Sequence, residues 1–289
     1  MTPLDSAWMA ANPLPVHGGG TDKNSRGRVL AIGGSARSPG AIRLTGEAAL
    51  RAGAGKVRMA TLAHTALMLG LLVPEAGIVA LPESEDGEIG EAAAALAPVL
   101  GTADTVVVGP GMTSSDAARD VTKIAAEGLD GDAVLLLDAA AIGCAGNLAD
   151  ALRPLAGRFV LTPHHGELAS LTGAEPDAIA ADPARHAREV ASRFGAVVAL
   201  KADRTVVAAP DGTLLHYLGG GVGLATGGSG DVLAGVVAGL LARGADPLIA
   251  TAWGVWLHGH SGRRMAACHG PIGFLARELL PEIPRLLPQ

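Results

Sequence analysis

The sequence predicts an α/β fold of three layers, a mostly parallel sheet held between two layers of helices. Three observations carry this expectation. Short runs rich in Val, Ile and Leu alternate with Ala-rich stretches of helical length along most of the chain. A steady strand–helix–strand order implies parallel pairing through right-handed crossovers. The apolar runs end in small or polar residues, where sheets of this kind take their ligands. Hydrophobic residues make up 49% of the 289 and charged residues 17%, with a mean hydropathy of +0.35, so a large core is available and disorder is excluded.

Residues 1–24 read as a lead-in segment and 25–289 as one domain. Strands are expected at Arg28–Ile32, Lys56–Thr61, Gly77–Leu81, Asp104–Val108, Ala133–Asp138, Phe159–Leu161 and Ala196–Leu200. Between them, Ala41–Ala52, Glu91–Leu100, Ser114–Ala126 and Pro176–Phe194 read as helices. The pattern then changes. Thr205–Ala209, the turn pair Asp211-Gly212 and Thr213–Leu218 form a hairpin signal. A glycine-rich loop, Gly219 to Gly230, leads into helices over Asp231–Ala242, Pro247–Ala267 and Pro271–Leu280. Gly33-Gly34-Ser35, Gly109-Pro110-Gly111, Asp138 and Thr162-Pro163-His164 all fall at strand ends, which favours a site on that edge.

Composition removes several function classes. The formal charge is −6, no cluster of four Lys or Arg occurs, and only 3 Trp, 1 Tyr and 3 Phe are present. Nucleic acid and anionic membranes are therefore not expected as partners. The longest apolar run, Val232–Ala242, is about half of what a membrane span needs and is interrupted by Gly235 and Gly239. Met1–Pro15 lacks the basic and apolar regions of a secretory signal. Two cysteines, Cys144 and Cys268, lie in no paired motif, which fits a reducing compartment. A soluble, cytoplasmic protein is expected.

The strongest chemical motif is Gly227-Gly228-Ser229-Gly230-Asp231, set before the apolar run of a helix. Converging backbone N–H groups and the positive helix end suit a phosphate. Asp231, in the first turn, is expected to stay ionised as a weak base, with plain N-capping as the bland rival. Phosphoryl transfer tolerates a weak base when positioning is good. Two other nucleotide fingerprints fail. Gly53-Ala54-Gly55-Lys56 has Leu50 and Val57 where a P-loop needs Gly and Ser or Thr. Gly109-Pro110-Gly111 has Ser114 in place of the third dinucleotide glycine, although Asp138 falls about where a ribose ligand would stand. His164-His165-Gly166-Glu167 and His258-Gly259-His260 lack zinc-ligand spacing, so no metal ligand is assigned. His164 reads as a polar group near a ligand and Glu167 as a helix cap.

Taken in order, the loops resemble the ADP/ATP-dependent NAD(P)H-hydrate dehydratases of the ribokinase-like superfamily. The resemblance rests on Arg28–Ser35 with Pro39–Ala41, Arg51–Gly55, Val108–Gly111, Leu137–Ala139, Leu161–His164 with Gly166-Glu167, Leu200-Lys201 with Thr205, and Gly223–Gly235. It implies a three-layer ribokinase-like sandwich and a lyase that removes water from hydrated NADH or NADPH, a repair of damaged cofactor. By this resemblance Asp231 would take the hydroxyl proton, and Gly227, Gly228, Ser229 and Gly230 would hold the transferring phosphate of ADP or ATP. Ala41, Gly111, His164 and Asp231 match positions that bind the hydrate. Lys201, Ala202, Asp203, Arg204, Thr205 and Gly230 match nucleotide positions. Mg²⁺ is implied as the phosphate counter-ion, a homotetramer as the assembly, and a separate epimerase as a working companion. The family's second acid at the Asp138 strand end is replaced by Ala140; His165, Ala202 and Val222 are smaller departures. A vitamin-precursor kinase of the same superfamily and a nucleotide sensor without turnover are the alternatives.

Overall fold

The computed structural model describes residues 1–18 and 20–288. The chain runs through β1 (Thr2–Pro3), α1 (Ser6–Ala11), β2 (Arg28–Ile32), α2 (Ala41–Arg51), β3 (Lys56–Leu62), α3 (Ala63–Leu72), β4 (Gly77–Leu81) and α4 (Ala93–Leu100). It continues through β5 (Thr105–Val108), α5 (Ser115–Gly128), β6 (Val134–Leu137), α6 (Ala140–Cys144), α7 (Ala149–Leu152), β7 (Phe159–Leu161) and α8 (His165–Thr172). The last elements are α9 (Pro176–Ala181), α10 (Pro183–Phe194), β8 (Val197–Leu200), β9 (Arg204–Ala208), β10 (Leu214–Leu218), α11 (Ser229–Ala242), α12 (Pro247–His269) and α13 (Ile283–Leu286).

The ten strands among the described residues join one sheet in the order β1-β10-β9-β8-β7-β6-β5-β2-β3-β4. Pairing is parallel throughout except at β9, which runs against both β8 and β10. Every residue of β5, β6 and β8 is buried, as strands covered on both faces require. One face packs on α2, α11, α12 and α13, the other on α4, α5, α6, α8 and α10, giving the expected three layers. Connections leave β2 toward β3 on one side, while β5 lies on the other. That reversal opens a crevice at the carboxyl ends of β2 and β5, where such sheets bind ligands. No helix among the described residues is long and apolar enough to cross a membrane.

Gly235 and Gly239 have a packing reason. A Cβ on Gly235 would lie 2.2 Å from the Thr45 carbonyl oxygen, and one on Gly239 2.6 Å from that of Ala49. The glycines let the α11 backbone close on α2. Helix propensity alone favours Gly→Ala by about 1 kcal/mol. The backbone contact outweighs it, so Gly235→Ala is expected to lower stability by roughly 1–3 kcal/mol. Urea unfolding checks this; an unchanged or raised midpoint would mean that α2 yields freely.

Several elements differ from expectation. The segment read as a lead-in supplies β1 and α1, and buries Leu4, Met9 and Leu14 in the core beside Leu215 and Tyr217. It is tied down by the Trp253 indole N–H, which donates to the Asn12 carbonyl at 2.7 Å, and by Arg243, which donates to that of Pro15. The stretch Pro176–Phe194 is two helices. Pro183 bars a continuous helix, and Asp182 closes α9 while its carboxylate accepts the Arg185 N–H to cap α10. The expected helix at Pro271–Leu280 begins only at Ala276, as a 3-10 turn to Glu282, because Gly270 and Gly273 take φ of +104° and +100°. α3 carries no helical period in its apolar residues and was not expected.

Candidate active site

The carboxyl ends of β6, β7 and β8 lie side by side and gather polar groups from three distant stretches of sequence. The Lys201 N–H donates to the Pro163 carbonyl at 2.7 Å, so the sheet continues past β7 and β8 as a bridge between His164 and Lys201. This sets the Lys201 ammonium 2.8 Å from Asp138 Oδ1, which also accepts the Thr162 hydroxyl at 2.8 Å. Glu167 Oε2 stands 3.7 Å from the same Nζ. The three charged side chains are only 3% (Asp138), 17% (Glu167) and 20% (Lys201) exposed. Burial works against the Lys201 charge, but the Asp138 and Glu167 carboxylates overcome it and raise its pKa. After Asp138 the chain turns into α6 within one residue. Ala139 sits at φ +50°, ψ −132°, a conformation costing about 1–3 kcal/mol in general.

α11 approaches this group with its first turn. Its N-cap, Gly228, has φ +87°, and the helix already includes Ser229 and Gly230, two residues earlier than expected. A Cβ on Gly230 would lie 3.3 Å from Lys201 Nζ and 3.9 Å from Asp138 Oδ2, and one on Gly227 would meet nothing within 4 Å. The turn thus presents unpaired N–H groups, the positive helix end and an ammonium to one small volume, the requirements of a phosphate. The Ser229 hydroxyl is 3.0 Å from Nε2 of half-buried His258, whose pKa desolvation pushes down to about 4. A neutral imidazole therefore braces the turn from behind. His260 faces elsewhere, stacked on Trp256 and bonded to the Tyr217 hydroxyl.

Asp231 follows in the same turn, and its carbonyl accepts the Thr45 hydroxyl of α2 at 3.2 Å. The expectation of a carboxylate that stays ionised as a weak base is corrected. Burial, reinforced by the Asp138 charge, raises its pKa from 3.8 to about 7, with Lys201 opposing. The dipole of one helix end is the smaller effect here. A carboxylate with this proton affinity is a competent general base near neutral pH.

This arrangement can hold an anion and remove a proton beside it. Residues 29–285 match the family model described as NAD(P)H-hydrate dehydratase. Over 98% of its length the chain is 46% identical to the ADP-dependent (S)-NAD(P)H-hydrate dehydratase of Xanthomonas campestris, covering 95% of that protein. The chain belongs to the NAD(P)H-hydrate dehydratase family. Its fold is similar to that of a ribokinase-like superfamily protein from Enterococcus faecalis, with a TM-score of 0.82, 26% identity, and 94% and 90% of the two chains covered. It is similar too to the Bacillus subtilis ADP/ATP-dependent NAD(P)H-hydrate dehydratase co-crystallised with ATP and Mg²⁺, with a TM-score of 0.78, 27% identity, and coverage of 98% and 96%. Bifunctional repair enzymes are also among the relatives, and the chain spans about half their length.

In this member of the dehydratase family, Ala41 and Gly111 stand against each other: a Cβ on Gly111 would lie 2.8 Å from that of Ala41. His164 caps α8, its Nδ1 accepting the Gly166 and Glu167 N–H groups while Glu167 accepts its own. The capping reading of Glu167 and a ligand-facing His164 are compatible, since that side chain is 59% exposed. Ala202 and Asp203 bend the chain between Lys201 and β9, whose first residues are Arg204 and Thr205. The Thr205 hydroxyl donates to the Ala202 carbonyl and the Arg204 N–H to the Asp203 carboxylate, with Asp203 and Arg204 exposed. A concavity of about 750 Å³ is walled in part by Arg37 and by Thr113 and Ser114, which follow Gly111 in the chain. Its lining includes Asp86, Glu88, Glu91, Asp116 and Asp120, which repel phosphate.

Sequence reasoning missed the parts that Asp138, Thr162, Glu167 and His258 play in this site. Asp138 falls about where a ribose ligand would stand in a dinucleotide enzyme, but one carboxylate oxygen is turned to Thr162 and Lys201. An acid directly after a fully apolar run, as in Leu135-Leu136-Leu137-Asp138, was the available signal. Of the acids nearest the first turn of α11, Asp138 Oδ1 and Glu167 Oε2 accept hydrogen bonds, while Asp138 Oδ2 lies 3.9 Å from the position of a Cβ on Gly230, and Ala140 offers no donor. No group of three His, Cys, Asp or Glu among the described residues is arranged to hold a metal.

Proposed function

We propose that the chain returns hydrated NADH or NADPH to the reduced cofactor at the expense of ADP or ATP, with Asp231 as the general base. The observation that carries this reading is the placing of Asp231, poised near neutral pH, in the helix turn that faces Lys201. Asp231 accepts the hydrate's hydroxyl proton. The resulting oxygen attacks the terminal phosphoryl group, which the α11 first turn and Lys201 hold, and displaces the shortened nucleotide. The ring nitrogen's electron pair then expels phosphate, which leaves an iminium ion, and loss of a proton from the neighbouring ring carbon to phosphate or water restores the double bond. Ala41, Gly111 and His164 are proposed to bind the hydrate, and Lys201–Thr205 with Gly227–Gly230 the nucleotide. Mg²⁺ accompanies the nucleotide as its counter-ion.

We also propose a homotetramer working beside a separate epimerase. Leu67, Met68, Leu71 and Leu72 of α3, between 56% and 76% exposed, give the chain an apolar face that supports self-association. Against a kinase reading stand the Arg28–Ser35 and Leu161–Glu167 blocks; a sensor without turnover has only Ala140 in its favour.

The test uses chemically prepared NADH hydrate with enzyme, Mg²⁺ and ADP or ATP. The near-ultraviolet absorbance of NADH is expected to return with one phosphate released per cofactor restored. A stable phosphorylated alcohol would establish the kinase reading instead, and binding with no turnover the sensor.

A further inference from the structure

We propose that Leu224 is a positioning residue for the phosphate cradle: seated in a hollow that Gly259 and Gly262 open on α12, it holds the loop between β10 and α11 in its binding shape before any nucleotide arrives. This role rests on the nucleotide-dependent reading above and concerns what fixes the cradle of that site.

The loop needs an anchor outside itself. Gly219, Gly220 and Gly221 follow one another with φ of +155°, +98° and +81°, so the chain leaves β10 through three residues with no side chain to pack. Glycine has more backbone freedom to lose on ordering than any other residue. The hydrogen bonds beyond them are local. The Leu224 N–H donates to the Gly221 carbonyl at 3.2 Å, the Ala225 N–H to that of Val222 at 3.0 Å, and the Ser229 N–H to that of Thr226 at 3.2 Å. These three bonds shape the loop but do not tie it to the body of the protein.

α12 supplies the tie. The Arg263 guanidinium donates to the Leu218 carbonyl at 2.6 Å and fixes where the loop begins. A Cβ on Gly262 would lie 2.7 Å from Leu224 Cγ and 2.8 Å from the Gly220 carbonyl oxygen. One on Gly220 would lie 2.5 Å from Leu224 Cδ1 and 3.5 Å from the Gly259 Cα. The Leu224 side chain therefore occupies the space that missing side chains leave on both segments. One turn before Gly262, His258 Nε2 stands 3.0 Å from the Ser229 hydroxyl. The same helix thus holds the chain at Leu224 and again at Ser229, on either side of Gly227 and Gly228. Cradle N–H groups fixed in advance have little freedom left to lose when a phosphate arrives. That improves affinity and leaves the rate of the loaded enzyme unchanged.

Calorimetric titration with ADP and Mg²⁺ tests this. Leu224→Ala, a change at a half-buried loop residue, is expected to weaken ADP binding about ten-fold or more, because the loop must then be ordered on binding. Gly262→Ala should act in the same direction by crowding the hollow. Leu224→Met fills that hollow with a similar volume and should bind ADP within about three-fold of wild type. Val222→Ala, at a side chain 69% exposed in the same loop, should bind as wild type does. At saturating nucleotide, Leu224→Ala is expected to keep kcat within about three-fold of wild type and the KM for NADH hydrate unchanged, since the loaded cradle is the same. In the nucleotide-free protein, the Ser229 and Val232 amides, bonded to the Thr226 and Gly228 carbonyls, should exchange their hydrogens about ten-fold faster in Leu224→Ala. Wild-type affinity for ADP in Leu224→Ala would overturn the proposal, and so would a loss confined to kcat. Wild-type protein that binds neither ADP nor ATP would end the nucleotide reading. The amide exchange would still decide the anchor: faster exchange in Leu224→Ala leaves it standing, and unchanged exchange removes it.

Discussion

Asp231→Asn is expected to cut turnover about 10²–10⁴-fold while leaving nucleotide binding near the wild-type level. The amide keeps the carboxylate's shape in the first turn of α11 but accepts no proton. The same substitution is expected to stabilise the fold, and the sign follows from the raised pKa of about 7 against an ordinary 3.8. Below about pH 4 the side chain is neutral in both the folded and the unfolded protein, and burial carries no charge penalty. Between pH 4 and 7 the unfolded chain releases the proton that the fold retains, so the fold loses ground as pH rises. Above about pH 7 the fold carries the ionised carboxylate and the penalty is fully developed. The melting temperature gained by Asp231→Asn should therefore be small near pH 4 and largest above pH 7. Wild-type turnover should show an acid limb centred near pH 7. The assignment of Asp231 is falsified if the Asn variant turns over like wild type.

Gly109→Ala should be the most damaging single methyl group in the site. The position has φ +122°, and the added Cβ would lie 1.8 Å from the Asp138 carbonyl oxygen. Neither strain can be relieved by a side-chain rotation, because both partners are backbone. A loss of about 3 kcal/mol or more is expected, together with loss of turnover, since relief requires moving the strand end that aims Asp138 at Lys201. Denaturant unfolding and the repair assay on the same preparation test this. Retained stability with retained activity would show that the loops of β5 and β6 are not in rigid contact.

The strands were legible because burial on both faces leaves no choice of residue. Thr105-Val106-Val107-Val108 and Leu135-Leu136-Leu137 admit no polar alternation and could be read directly. The cradle at Gly227–Asp231 was legible for a local reason, glycines followed at once by a helix. The acid–ammonium group was not. Asp138 and Lys201 are 63 residues apart, and they meet only because β6, β7 and β8 are consecutive in the sheet. The base strength of Asp231 escaped for a related reason. The sequence shows its helix dipole, whereas the burial that decides its pKa comes from chain segments far from it in sequence. α3 escaped because a uniformly apolar stretch such as Ala66-Leu67-Met68-Leu69 has no period to read.

The short strand β1 has a consequence for how the molecule keeps its own company. β10 would otherwise be the outermost strand, offering a row of unpaired peptide groups to any extended chain that drifts past, the usual start of aggregation. Thr2 and Pro3 pair with Leu215 and His216, and the Leu4 N–H donates to the His216 carbonyl at 2.8 Å, so this row is spoken for. The new margin is only two residues long, and one of them is a proline without an N–H to offer. Removing residues 1–14 would bare β10 and at the same time empty the seats of Leu4, Met9 and Leu14, leaving an adhesive border on a loosened core.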